Sequence, residues 1–405
     1  MFKSKLSTVK RYGLIALAFL HIAVSRGVPG SFGVFYVALI EAFGWSRAAT
    51  ASVISLEIVS EGLSFPLAGS LIDRLGPRRT LTLGGCLLAL GLGLTATVST
   101  IWELYLWMGI VSALGLAMIG MVPHVAILSR EFSDRRGLAL GLAWTGGGFG
   151  IMCLVPLAQV MIGKWGWSLA AAGLAIITVL LVIPPVQLLF ASGSKMSGAP
   201  VQRTENPSDW TVRQALKSST FWLLFGSRIF ASVGNQIVLT HQVAHAVDVG
   251  YPKLFAASIF GLMGVVSVFG RLLFGYLTDR MKGESVFTWV QATSVIGITA
   301  LLLLRDNSSP ALLYAYALFY GLGQGSRALV LSAISADLFL GQSFGAIYGY
   351  FTLSVGIGGG FGAWLGGFIF DKTRSYFAAF LCSLTCTILA GIGVWASKRL
   401  AAKNQ

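Results

Sequence analysis

Long apolar stretches alternate with short polar clusters along nearly the whole chain. Twelve such stretches can be traced, at 12–38, 48–72, 80–99, 102–128, 137–163, 167–191, 216–247, 253–278, 285–304, 311–336, 344–370 and 375–397. Each is close to the roughly 20 apolar residues that a helix needs to cross about 30 Å of hydrocarbon. Strands of a membrane barrel would alternate apolar and polar positions over about ten residues. Blocks such as Leu174 to Leu189 do not alternate. The pattern therefore predicts an all-α membrane protein with twelve transmembrane helices. The first stretch contains Ala23-Val24-Ser25, which imitates a signal-peptidase site, but it stays apolar to Ala38. That is longer than a signal h-region, so an uncleaved first span is expected.

The longest polar stretch, Ser192 to Lys217, follows the sixth span and divides the chain into two sets of six. The expected organisation is an N-terminal six-helix half at 1–191, a cytoplasmic linker at 192–215 and a C-terminal half at 216–405. A repeat supports it. Gly69-Ser-Leu-Ile-Asp73-Arg74-Leu-Gly76-Pro-Arg78-Arg79 after span two is echoed by Gly275-Tyr-Leu-Thr-Asp279-Arg280-Met-Lys282-Gly283 after span eight. The two are about half a chain apart, as duplication of a six-helix unit requires. Gly69 and Gly275 permit close helix approach. Asp73 and Asp279, each followed by an arginine (Arg74, Arg280), suit the positive N-terminal ends of helices starting near Ser343 and Arg136. Together these residues are expected to form a conformational latch.

Composition agrees with lipid as the main solvent. Hydrophobic residues make up 55% and charged residues 11%, against about 25% charged in soluble chains, and the mean hydropathy is +0.78. The net charge of +14 does not require a nucleic-acid partner. With the N-terminus inside, 19 Lys and Arg fall in inner segments and 6 outside, the latter being Arg47, Lys164, Lys253, Arg305, Lys372 and Arg374. The bias obeys the positive-inside rule. It predicts cytoplasmic termini, a plasma (inner) membrane location and an attraction to anionic lipid. Four basic residues remain, Arg26, Arg228, Arg271 and Arg327, all inside predicted spans.

Other chemistry is sparse. Cys382 and Cys386 are one turn apart, but no further Cys or His follows at metal spacing. All four cysteines, with Cys86 and Cys153, read as small buried apolar side chains, and no metal is expected. There is no Walker loop, zinc-protease histidine pair or nucleotide fingerprint, so neither an enzyme nor a cofactor is expected. Gly146 to Gly150 lies within a helix near Pro156 and reads as close packing.

The signature at 69–79 resembles that of the major facilitator superfamily, and twelve spans with a central loop extend the likeness over the whole chain. Gly27-Val-Pro29-Gly-Ser31-Phe32-Gly33-Val34-Phe35-Tyr36 in span one and Arg135 to Gly150 entering span five resemble the monocarboxylate transporter family. Gly270-Arg271-Leu-Leu-Phe-Gly275 in span eight is similar to the substrate-arginine helix of that family and of the related oxalate/formate exchangers. The resemblance implies a two-half bundle with alternating access and Arg271 as the carboxylate-binding residue. It also marks departures: Gly30 stands where several animal carriers have a lysine, and Ser267 where they have an acid. Their proton relay is therefore not transferable.

From the residues themselves, Arg271 is the strongest substrate candidate, because a span arginine is costly and its planar fork suits a carboxylate. Arg327 shares a helical stripe with Tyr316, Tyr320 and Gln324, and either lines a cavity or pairs with Glu57 or Glu61. Tyr320, Ser267 and Gly30 complete the candidate substrate site. Glu57 and Glu61, one turn apart, suit reversible protonation or an outer gate paired with Arg47 or Arg327. Span seven carries Arg228, Ser232, Asn235, His241, Gln242 and His245 as a hydration path or an inter-helix hydrogen-bonding face. The proton-coupling candidates are thus Glu57, Glu61, His241 and His245. His21 and His124 read as lone interior histidines. The expected function is proton-coupled symport of a small organic anion such as lactate or pyruvate. An oxalate/formate-type anion exchanger and a drug exporter are the alternatives, and a nontransporting sensor is disfavoured by the lack of a sizeable soluble segment.

Overall fold

The structure is a computed structural model that describes residues 8–45, 47–132, 135–190 and 210–403. Most of the expected linker at 192–215 lies outside the described residues, as does the side chain of Arg47. The described residues form helices and short turns, with no strand among them.

Helices α1 (Thr8–Gly30) and α2 (Phe32–Phe43) together make the first predicted span. They part at Ser31, whose Oγ donates to the Gly27 carbonyl at 2.8 Å. Pro29 weakens the ladder here because it has no amide to donate. Helix α3 (Arg47–Thr95) carries the second and third spans as one bent rod, turning at Gly76 with φ 78° and ψ 172°. Helix α7 (Arg136–Phe190) carries the fifth and sixth in the same way, turning at Gly166 with φ 82° and ψ 166°. Only glycine enters that backbone region readily, so each hairpin expected from sequence is a single-glycine corner.

The fourth span is the least regular. It runs through α4 (Ile101–Leu104), a π-helical stretch at Tyr105–Ser112, α5 (Ala113–Ile119) and, beyond a break at Gly120, α6 (Met121–Glu131). Thr100 and Glu103 form a reciprocal capping box at its start. A short helix α8 (Val212–Lys217) precedes α9 (Ser219–Asp248), α10 (Lys253–Thr278), α11 (Gly283–Leu303), α12 (Pro310–Phe339), α13 (Phe344–Thr373) and α14 (Phe377–Lys403), which supply one span each. Among the described residues, eight helical segments are long and apolar enough to cross a membrane by length and composition alone. Arg136–Phe190 holds two of the predicted spans. The more polar α3 and α12 supply the remaining three, which accounts for all twelve predicted spans.

The chain packs as two compact units. Of the described residues, 8–132, 142–190 and 340–352 belong to the first, and 135–141, 212–339 and 353–403 to the second. The first turns of α7 thus pack with the second unit and the head of α13 with the first. Each unit has its own core: Leu88, Leu92, Leu104, Leu116 and Ile119 in the first, and Ile237, Ile298, Leu313, Tyr316 and Phe380 in the second.

Lipid gives no hydrophobic drive between helices, so tight seams need small residues. A Cβ on Gly115 would press on Gly84 and Leu88, and one on Gly323 on Val290 and Ser294. The pairs 84/290 and 88/294 keep the spacing between Asp73 and Asp279, so the duplication seen in the loops recurs in the helix packing.

Candidate functional site

The two signature aspartates occupy matching environments. In the first unit, Asp73 Oδ1 accepts the Gly345 amide at 3.1 Å and Oδ2 the Ala346 amide at 2.7 Å, at the start of α13. In the second unit, Asp279 accepts the amides of Gly137 at 2.6 Å and Leu138 at 2.9 Å, at the start of α7. Free helix-start amides and the helix dipole make these ends natural carboxylate receptors. Gly69 and Gly275 sit against the Gly345 and Gly137 backbones, with no room for a Cβ. Burial pushes both carboxyls above the ordinary aspartate range, against the opposing pull of the amides.

The cation on Asp73 is Arg130 of α6, at 2.7 Å, which also donates to the carbonyls of Gly341 and Gln342. Sequence reading missed Arg130 because nothing in its local pattern marks it. Arg74 and Arg280 are exposed, and Arg280 lies over the Tyr276 ring. Arg136 pairs instead with Asp337.

In the second unit, α10 and α12 carry Arg271 and Arg327. Arg271 on α10 is half-buried, and its Nε donates to the Gly325 carbonyl at 3.2 Å. Ser267, one turn earlier, bonds within its own helix to Gly264. Arg327 on α12 is 5% exposed. Its Nε donates to Gln291 Oε1 at 3.2 Å, Nη2 to Ser294 Oγ at 2.9 Å, and Nη1 to Asn235 Oδ1 at 3.1 Å and the Ala231 carbonyl at 3.3 Å. The Tyr320 hydroxyl donates to the same Asn235 oxygen, and the Arg327 guanidinium stands over its ring at 5.8 Å. The Tyr316 hydroxyl donates to Gln242.

All four hydrogen-bond acceptors of Arg327 are neutral, and Glu61 takes Arg26 as its partner at 3.5 Å in the first unit. Arg26 and Glu61 lie 35 positions apart, and one helix pattern alone gave no reason to join them. Glu57 is 2% exposed, and its Oε2 has no hydrogen-bond partner among the described residues. Gly30 also belongs to the first unit, where it faces Ile151 and Val155 of α7.

The span-seven stripe mostly serves inter-helix hydrogen bonding. Ser232 donates to Val355, His241 Nε2 meets the Ala363 carbonyl at 3.1 Å, and His245 Nε2 meets the Leu301 carbonyl at 3.2 Å. Arg228 is buried on the same helix.

His21 and His124 are not lone histidines. His21 Nδ1 and His124 Nε2 are 3.1 Å apart, and both rings are buried. Two of the cysteines also differ from expectation: Cys386 is buried and Cys382 partly so, whereas Cys86 and Cys153 are exposed on the protein surface. Gly146 and Gly150 seat α7 against the Phe19 and Ala23 backbones of α1, which is packing rather than a phosphate loop. No cluster of three metal-ligating side chains occurs among the described residues.

A family profile described as Major Facilitator Superfamily matches residues 15–305. The chain is 31% identical to monocarboxylate transporter 13 of Bos taurus, over 94% of this chain and 87% of that protein. It is 30% identical to monocarboxylate transporter 13 of Rattus norvegicus, over the same shares. Among solved structures it is similar to the Major Facilitator Superfamily transporter FucP in the outward conformation, with a TM-score of 0.75 and 16% identity over 96% of this chain and 99% of that one. A bacterial homologue of the iron transporter ferroportin in an outward-facing state gives the same TM-score, identity and coverage.

Proposed function

We propose, for a chain that belongs to the Major Facilitator Superfamily and is related to its monocarboxylate transporters, that its cargo is a small monocarboxylate of the lactate or pyruvate kind, moved with a proton by alternating access. Membership makes it a membrane transporter and not an enzyme. The observation that carries the anion reading is Arg327, a buried guanidinium whose hydrogen bonds within the second unit all go to neutral acceptors. Such a group keeps its positive charge in a medium that solvates it poorly, and an anion supplies what the protein does not.

Arg271 presents a second planar fork on α10 of the same unit, the geometry that grips a carboxylate with two parallel hydrogen bonds. Tyr320, held by Asn235 beside Arg327, and Ser267, one turn from Arg271, add hydroxyls. Gly30 on α1, where a Cβ would meet Ile151 and Val155, is kept as the span-one candidate on the resemblance. For the proton, Glu57 is the leading candidate. Its orphan Oε2 suits a carboxyl that takes up a proton, while Arg26 engages Glu61. His241 and His245 are the second choice, since each ring already meets a carbonyl.

The latch role of Asp73, Arg74, Asp279 and Arg280 belongs to the same proposal. So do the halves at 1–191 and 216–405 joined by the linker at 192–215, and the placement of both termini in the cytoplasm of a plasma (inner) membrane. The 19-to-6 distribution of basic residues supports that orientation.

A second reading, anion exchange of the oxalate/formate kind, draws support from two arginines on α10 and α12 of one unit. Uptake into proteoliposomes separates the two. Accumulation of labelled lactate driven by an inward proton gradient supports symport. Uptake that appears only with internal counter-anion supports exchange. Uptake under neither condition overturns both.

A further inference from the structure

Two buried polar atoms without hydrogen-bond partners among the described residues belong to one charged cluster in the first unit: Nε of Arg26 on α1 and Oε2 of Glu57 on α3. The third member is Glu61, one turn beyond Glu57, whose Oε1 takes Arg26 Nη2 at 3.5 Å. That is long for an N–H···O contact between ions. Nε and Nη2 share one edge of the planar guanidinium, the edge that offers a carboxylate two parallel N–H groups. On Arg26 one half of that edge is loosely filled and the other half is empty.

The backbone around Arg26 is fixed. Gly27, next in the chain, sits on the Gly150 carbonyl of α7 with no room for a Cβ, and Gly150 in turn lies on the Ala23 backbone. A Cβ on Gly147 would stand 3.4 Å from Arg26 Cγ, so the aliphatic stem runs along α7 and the guanidinium is the part able to turn. Glu57 is 2% and Glu61 7% exposed, so little water reaches either carboxyl in place of Arg26.

The charged groups that act on Glu57 are Glu61 and Arg26. Other titratable groups on α3 and the elements packed against it are engaged elsewhere or exposed. Tyr105 holds the Ala49 carbonyl and meets Ser52, His124 meets His21, Glu103 caps its own helix, Arg130 holds Asp73, and Glu41 on α2 is exposed.

We infer that Arg26 is a positioning residue for the proton site: it offers its Nε–H to the Glu57 carboxylate and withdraws it when that carboxyl is protonated. The inference rests on the reading of Glu57 as the proton carrier and adds how the proton is let go. When Glu57 gives its proton to water, the carboxylate left behind takes the Arg26 Nε–H while Nη2 stays with Glu61. Taking a proton back empties Nε again, and the unpartnered Nε and Oε2 are that protonated arrangement. The cluster thus passes from neutral to a single negative charge. Without the guanidinium it would pass from one negative charge to two, and adjoining carboxylates hold on to a proton rather than ionise together.

Infrared difference spectroscopy of the full chain in nanodiscs, titrated over pH, reads the carboxylic C=O stretch directly. Glu57→Gln identifies the band by removing it. In Arg26→Gln the midpoint of that band should move to higher pH by about one to three units, the effect of losing an adjoining opposite charge. Arg26→Lys keeps the cation and should recover at least about half of that displacement. Glu61→Gln removes a like charge and the competitor for Arg26, so it should move the midpoint to lower pH by about one unit. Arg26→Gln and Glu61→Gln break the same ion pair, so a merely structural role would move the midpoint the same way in both. Opposite directions are what positioning requires.

An unchanged midpoint in Arg26→Gln, equal displacement in Arg26→Gln and Arg26→Lys, or displacement of one sign in Arg26→Gln and Glu61→Gln each overturns the inference and leaves Glu57 as the proton carrier. If Arg26→Gln does not fold, Arg26→Lys and Glu61→Gln decide by the same opposition of sign. Absence of a titrating band that Glu57→Gln removes overturns the proton reading, and the inference with it.

Discussion

Asp73 and Arg130 meet at 2.7 Å, and the same guanidinium nitrogen reaches the Gly341 and Gln342 carbonyls just before α13. Asp279 holds the start of α7 through two amides, with no ion pair to its carboxylate among the described residues. The two signature loops are therefore alike in sequence and unequal in fastening. Asp73→Asn keeps one acceptor oxygen but replaces the other with an NH2 donor that faces the Gly345 and Ala346 amides and the Arg130 guanidinium, which are all donors themselves. The expected cost is about 1.5–3 kcal/mol, so maleimide labelling of Ser343→Cys should speed up by about tenfold or more. Arg130→Gln should have a similar effect, and Asp279→Asn none at Ser343→Cys. Equal labelling in all variants would reduce these residues to turn formers.

A pH response follows from the burial of the same carboxyls. Both Asp73 and Asp279 are pushed above the ordinary aspartate value when docked, so docking takes up protons. The contribution is fully present below the undocked value, near 3.8, and is lost as pH rises through the docked value. Labelling of Ser343→Cys, corrected for thiolate fraction, should rise as pH is raised across that window. Asp73→Asn should flatten the profile. A flat wild-type profile would mean that the amides and Arg130 offset the burial completely.

The fold was legible because lipid imposes a strong rule: every span must be a helix of about 20 apolar residues, and that can be counted. Helix joints were less visible. Gly76 and Gly166 turn the chain by backbone geometry alone, and nothing in the apolar pattern separates such a corner from a loop. Individual chemical groups were legible where composition made them rare, as with Arg271 and Arg327 within spans. Their partners were not. The neutral cage of Gln291, Ser294 and Asn235 around Arg327, the Arg26–Glu61 pair and the His21–His124 contact all join helices distant in sequence. Side-chain pairing across helices depends on rotation and tilt, which periodicity leaves undetermined.

The proton assignment predicts a separation of coupling from transport. Glu57→Gln should abolish accumulation driven by a proton gradient while leaving counter-anion exchange within about threefold of wild type, since the amide keeps the shape and removes the titrating group. Glu61→Gln should be milder in coupling but destabilising, because it leaves Arg26 without its carboxylate. Gradient-driven accumulation that survives the double variant would move the proton to His241, His245 or the substrate.

Arg271→Lys tests recognition by shape rather than by charge. A lysine retains the cation but not the planar fork, so uptake at low substrate should fall at least about tenfold while the protein still inserts and unfolds at a temperature near that of wild type. Wild-type uptake would remove Arg271 from the substrate site and leave it as the residue that ties α10 to the Gly325 carbonyl of α12.

The charge on Arg327 decides how a dianion compares with a monoanion. Had Glu57 or Glu61 neutralised it, removing its charge would change little in that comparison. With neutral acceptors in its hydrogen bonds, its charge adds to that of Arg271 on the neighbouring helix, and a dianion gains more from two such charges than a monoanion does. Competition against labelled lactate by lactate, pyruvate, oxalate and malonate should therefore show the oxalate-to-lactate affinity ratio falling about tenfold in Arg327→Gln, with the pyruvate-to-lactate ratio unchanged. Oxalate outcompeting lactate in the wild type, with that order reversed in the variant, would favour dianion exchange over monocarboxylate symport. An unchanged ratio would make Arg327 a structural pin among α9, α11 and α12, and the observation that carries the anion reading would fall with it.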